Sequence, residues 1–196
     1  MLKKILLAGI LGGLALFVWE SLAHMVLPLG EAGVRGLGDQ EASMLAAYRE
    51  HVKEPGFYYF PAPEEKPGMT AEQKGKAMEA AMQRAATQPS GITIVFPQGR
   101  VINLAPHLLI QLAGDIVVML IVAFLLSKAV ALRGYAARLG FVTLMGLIPT
   151  LQTDMPQWNW YGFPDTYFGA QLLVHLVGFF AGGLLLAGIV KMRQPA

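Results

Sequence analysis

The sequence has no cysteine, which excludes disulfides, iron–sulfur clusters, thiolate metal sites and covalently attached c-type haem. Any metal or haem would have to be held by His, Asp, Glu or Met. It is also poor in charge: 14% of its 196 residues are Asp, Glu, Lys or Arg, against about 25% in a soluble domain. With 55% hydrophobic residues there is too little polar side chain to face water on all sides. A lipid bilayer is the expected solvent. The formal charge of +2 argues against a nucleic-acid partner, which calls for a strongly basic face.

What is present in abundance is long apolar runs. A transmembrane helix needs about 20 predominantly apolar residues, and four stretches approach this: Ile5 to Leu29, Pro106 to Ser127, Ala136 to about Gln152, and Thr166 to Val190. The third is the shortest and contains Pro149; packing against a neighbouring helix would let it cross, because neighbours satisfy the backbone groups that proline frees. The expected fold is an all-α membrane protein, a bundle of four transmembrane helices, with a small α/β extracytoplasmic insertion over 30–105.

Charge sets the orientation. Lys3 and Lys4 precede the first run, Lys128, Arg133 and Arg138 lie between the second and third, and Lys191 and Arg193 follow the fourth. The connection from about Thr153 to Asp165 has two aspartates and no Lys or Arg. The positive-inside rule therefore places both termini and the 128–138 loop in the cytoplasm. Trp158, Trp160 and Tyr161, with Phe163, Tyr167 and Phe168, form an aromatic belt at the outer interface. Met1 to Ala23 also has the shape of a signal peptide, with Ser21-Leu22-Ala23 as a cleavage site. Against cleavage, the apolar run continues through Leu27, and Glu20 stands where the cleavage region would begin.

The insertion carries eight Lys/Arg and nine Asp/Glu, the balance of a hydrated surface. It has no nucleophile motif, Walker loop, dinucleotide fingerprint or cluster of metal ligands, and an enzyme is the less expected class. A helix is expected over Asp39 to Glu54 with Asp39 as N-cap, and a second over Thr70 to Gln88, where Thr70 and Gln73 make a capping box. Phe57 to Phe60 is a strand candidate. Ile92 to Phe96 and Arg100 to Leu104 are expected to pair as a hairpin through Pro97-Gln98-Gly99. His51, the one histidine here, reads as an exposed helix residue.

Ionisable groups in a bilayer are costly and point to function by default. In the second span Asn103, His107, Gln111 and Asp115 recur at four-residue spacing, drifting about 40° per step on a helix. The first span has Glu20 and His24 on the face of Gly9 and Gly13, and the fourth has Gln171 and His175 on the face of Gly178 and Gly182. Both glycine pairs have the G-x-x-x-G spacing that allows close helix approach. Thr143, Gly146, Thr150 and Thr153 make a weaker stripe in the third. Counted from the outer ends, Glu20, Asp115 and His175 fall roughly 12 to 14 Å deep, and His24, Gln111 and Gln171 roughly 6 to 8 Å. His107 falls near the interface.

Two carboxyls and an imidazole at one depth call for a metal ion, a shared proton or a protonated histidine. The expected ligands of a divalent metal or cofactor are Glu20, His24, Asp115 and His175, with His107, Gln111 and Gln171 behind them. A b-type haem would use His24 with His107 or His175, but their unequal depths disfavour it. A proton or ion pathway would use the carboxyls. In the fourth alternative the same groups fasten four helices by buried hydrogen bonds. The cofactor stays unassigned, and the expected function is a non-enzymatic accessory or scaffold protein whose outer insertion engages a protein partner. The alternatives are a metal- or haem-binding protein and a small proton-coupled transporter.

The run from Phe17 to Glu31, Phe-Val-Trp-Glu-Ser-Leu-Ala-His-Met-Val-Leu-Pro-Leu-Gly-Glu, followed by Glu54 to Pro61, resembles uncharacterised four-span bacterial membrane proteins with a Ser-His-Met-Val-Leu-Pro-Leu-Gly segment. Here Leu22-Ala23 stands between the Ser and the His. The resemblance covers the first third of the chain and implies a bacterial inner membrane; no activity comes with it.

Overall fold

The structure is a computed structural model that describes residues 1–191; Arg193 lies outside the described residues. The chain is mostly helical, with one two-stranded sheet. It divides into two compact units, Met1–Val34 with the chain from Asn103 onward, and Arg35–Ile102.

Three helices of the first unit are long and apolar enough to cross a membrane: α1 (Leu2–Met25), α4 (Leu104–Lys128) and α8 (Asp165–Ile189). The run between α4 and α8 is broken. It comprises α5 (Tyr135–Met145), the short α6 (Leu147–Pro149), a π-helical turn over Thr150–Asp154 and α7 (Met155–Tyr161). The uninterrupted helix expected over 136–152 does not form, because prolines flank the π-turn. Pro149 has no N–H for the carbonyl of Met145, and its ring crowds that carbonyl. Pro156 follows at the start of α7. The wider turn absorbs the mismatch, with the Met155 N–H bonding Thr150 O. Gly162, at φ 70°, ends α7 in the left-handed conformation and turns the chain into α8.

Glycines set which helices touch. A Cβ at Gly13 would lie 2.5 Å from Ile116 Cα, and one at Gly9 would overlap Leu120. This is the α1–α4 seam. One residue round from Gly13, Gly12 faces Leu186 and the Gly182 carbonyl, and a Cβ at Gly178 would come within 2.5 Å of Leu16 Cδ1. This is the α1–α8 seam. On the other flank of α8, Gly183 meets Leu139 and Val142, and Gly146 meets the His175 carbonyl. Helix packing therefore runs in the order α4, α1, α8, α5, each pair antiparallel. The core between them holds Ala8, Leu16, Met119, Leu126, Val142 and Leu186.

Arg138, expected at the cytoplasmic surface, is buried at 6% exposure. Its Nε donates to Ala187 O at 2.9 Å and Nη1 to Arg133 O at 2.6 Å. Three residues earlier, Tyr135 donates to Leu184 O at 3.1 Å. Ala187 O is one of the last carbonyls of α8, which lack intrahelical donors, so the guanidinium caps that end; Tyr135 reaches a carbonyl one turn further in.

In the second unit a short 3₁₀ turn at Gly38–Gln40 leads into α2 (Glu41–His51). Asp39 does not cap the helix as expected: it lies within the turn, and α2 has no side-chain cap. α3 (Ala71–Ala85) does have its capping box, with the Thr70 N–H donating to Gln73 Oε1 at 2.8 Å and the Gln73 N–H to Thr70 Oγ1 at 3.2 Å. β1 (Gly56–Phe60) pairs antiparallel with β2 (Gly91–Val95), placing Phe57 opposite Ile94 and Tyr59 opposite Ile92. The hairpin expected between 92–96 and 100–104 is therefore absent. β2 finds its cross-strand aromatic partners in β1 instead, and Asn103 draws the following residues into the lead of α4 by accepting from the Ala105 N–H.

Candidate functional site

The polar side chains of the first unit gather in two groups. On α4, Gln111 and Asp115 are four residues apart and share a face. Gln111 Nε2 donates to Asp115 Oδ1 at 2.8 Å and, across the seam, to Glu20 Oε2 on α1 at 2.9 Å. A carboxamide nitrogen carries two hydrogens, so both are engaged and one neutral group joins two carboxyls. Asp115 is 4% exposed, and its Oδ2 has no hydrogen-bond partner.

The second group lies between α8 and the π-turn. His175 Nε2 comes within 3.1 Å of Asp154 Oδ2. The approach is a close carboxyl–imidazole contact, which becomes an ion pair when His175 is protonated. Asp154 is buried, as is Thr150 one turn earlier, whose hydroxyl has no hydrogen-bond partner. The close fit of Gly146 on the His175 carbonyl brings the broken helix near enough for this contact.

The remaining residues expected at a site take other partners. His24 turns its Nδ1 to the Glu20 carbonyl at 2.9 Å, and His107 turns its Nδ1 to the Asn103 carbonyl at 2.6 Å. Each is a bond to the preceding turn of its own helix. Gln171 is buried on α8. Gly9 and Gly13 face α4, whereas Gly178 and Gly182 face α1. Trp158, Trp160 and Tyr161 are exposed on α7, and Trp158 Nε1 donates to Asp165 Oδ1 at 2.6 Å.

Glu20, His24, Asp115 and His175 do not assemble into one ligand set. Among the described residues no three His, Asp or Glu side chains come together to hold a metal ion. What the arrangement can do is hold charge and protons in two places: a carboxyl pair on an amide, and a carboxyl–imidazole pair at a helix break.

Two contributors escape the sequence reading. Asp154 is taken there as a marker of orientation in a loop, although it continues the spacing of Gly146 and Thr150. Trp19, on α1, donates from Nε1 to the Val174 carbonyl at 2.8 Å. A Cβ at Gly178 would sit 3.1 Å from its ring, so the missing side chain at 178 makes room for the indole. No protein-family model, curated protein or solved structure matches the chain.

Proposed function

We propose that the chain is a four-span integral protein of the bacterial inner membrane, with both termini cytoplasmic. It acts as a non-enzymatic accessory or scaffold component whose segment between α1 and α4 lies outside and engages a protein partner. The observation that carries this reading is the pairwise disposal of polar groups: Glu20 and Asp115 meet through Gln111, and His175 meets Asp154. Polar groups tied across helix interfaces fasten a membrane bundle.

α1, α4 and α8 have the length and apolarity of spans. Support for a fourth crossing comes from the run over 135–161, which is roughly 40 Å long if helical throughout. Its contacts follow α8 antiparallel, from Arg138 at Ala187 to Asp154 at His175. A mate that tracks a spanning helix in this way crosses beside it, and its broken backbone is tolerable where protein covers it. Lys3, Lys4, Lys128, Arg133 and Lys191 mark the cytoplasmic ends.

With no native cysteine, single-cysteine variants report topology cleanly. Gln83→Cys is expected to react with a membrane-impermeant maleimide on intact cells, and Ala131→Cys only after permeabilisation. The reverse pattern overturns the orientation, and labelling of both on intact cells overturns the four-span arrangement.

A further inference from the structure

The Glu20–Gln111–Asp115 group is short of positive charge and of donors. Its two carboxyls present four oxygens, and the one bridging nitrogen supplies two hydrogens. Asp115 is more than nine-tenths buried, and its Oδ2 has no hydrogen-bond partner. A buried carboxylate oxygen without a donor is costly, and two like charges on one neutral amide repel.

Neither seam helix brings a Lys or Arg to the pair. On α1 the titratable neighbour is His24, turned to the Glu20 carbonyl; on α4 it is His107, turned to the Asn103 carbonyl. On α8, packed against α1, it is His175, which is drawn to Asp154 from the broken helix beyond. Between Lys4 and Lys128 neither α1 nor α4 contains a Lys or Arg.

We propose that Glu20 and Asp115, bridged by Gln111, are a binding site for one exchangeable proton. On loading, an O–H bond forms on one carboxylate as a hydronium ion gives up its proton and becomes water; release reverses this, and no other bond changes. Gln111 is exposed on the surface of its unit, so the pair is not sealed within the helix seam. Within the span such a site gives the protein a protonated and an unprotonated form that differ in net charge at one helix seam. The inference rests on α1 and α4 lying in the membrane, which the cysteine labelling tests separately.

The full chain, purified in mild detergent, is to be treated with dicyclohexylcarbodiimide, which reacts with protonated carboxyls in apolar surroundings, over a pH series. Adducts are located by peptide mass spectrometry. The expected result is an adduct at Glu20 or Asp115 whose initial rate falls about tenfold per pH unit on the alkaline limb, as one titrating proton requires. No adduct at either residue at any pH, or a rate that does not vary with pH, overturns the proposal. A repeat with sodium chloride in place of choline chloride separates a proton from a metal cation: equal rates support the proton site, and protection by sodium overturns it.

Discussion

Arg138 shows how far a residue's role depends on its neighbours. By composition it belongs with Lys128 and Arg133 as one more basic residue beside a loop, but only its guanidinium is buried against carbonyls of other segments. A hydrogen bond from a charged donor contributes about 1.5 to 3 kcal/mol. Arg138→Met is therefore expected to lower the thermal unfolding midpoint in detergent by a stability loss of about 2 to 3 kcal/mol. Arg133→Gln leaves the backbone carbonyl in place and should stay within about 0.5 kcal/mol of the parent. Equal effects of the two changes would show that Arg138 acts as a surface charge. The same blindness hid Asp154 and Trp19. Spacing along one helix is readable from the sequence, but the identity of the facing helix is not, and both residues act across an interface.

At the scale of elements, the helix seams separate glycines that are needed from glycines that are incidental. A Cβ at Gly13 would press on the Ile116 backbone, whereas one at Gly12 would meet chiefly the end of the Leu186 side chain. Gly114 has nothing within 4 Å of the same position. Gly13→Ala is thus expected to destabilise by about 1 to 3 kcal/mol, Gly12→Ala by less, and Gly114→Ala to be neutral or stabilising by up to about 1 kcal/mol through helix propensity. Thermal unfolding of the three variants checks the order, and a Gly114 variant weaker than the Gly13 one would refute the seam. The G-x-x-x-G spacing was visible in the sequence; which helix each glycine faces was not. Local signals had mixed success in the second unit. The capping box at Thr70 and Gln73 depends on four consecutive residues and forms. The hairpin through Pro97-Gln98-Gly99 looked equally local, yet a strand over thirty residues upstream takes its place.

At the scale of the molecule, the order α4, α1, α8, α5 explains why Glu20, Asp115 and His175 do not converge. Glu20 and Asp115 share the α1–α4 seam, while His175 lies on the flank of α8 that faces the broken helix. Helical rise gives spacing along each axis, but azimuth around each helix axis depends on packing that composition does not encode. Two separate polar pairs predict a protein that purifies without stoichiometric metal and without a Soret band. Elemental analysis and an absorption spectrum check this, and either signal at one equivalent per chain would return the cofactor reading.

The placement of α1 between α4 and α8 also bears on how the protein is made. Gln111 lies 91 residues after Glu20 in the chain, so at about 5 to 20 residues per second Glu20 waits roughly 5 to 20 s for its partner. Its α8 neighbours arrive later still. α1 is thus made before both of its neighbours, and its second face is covered only once α8 has been synthesised.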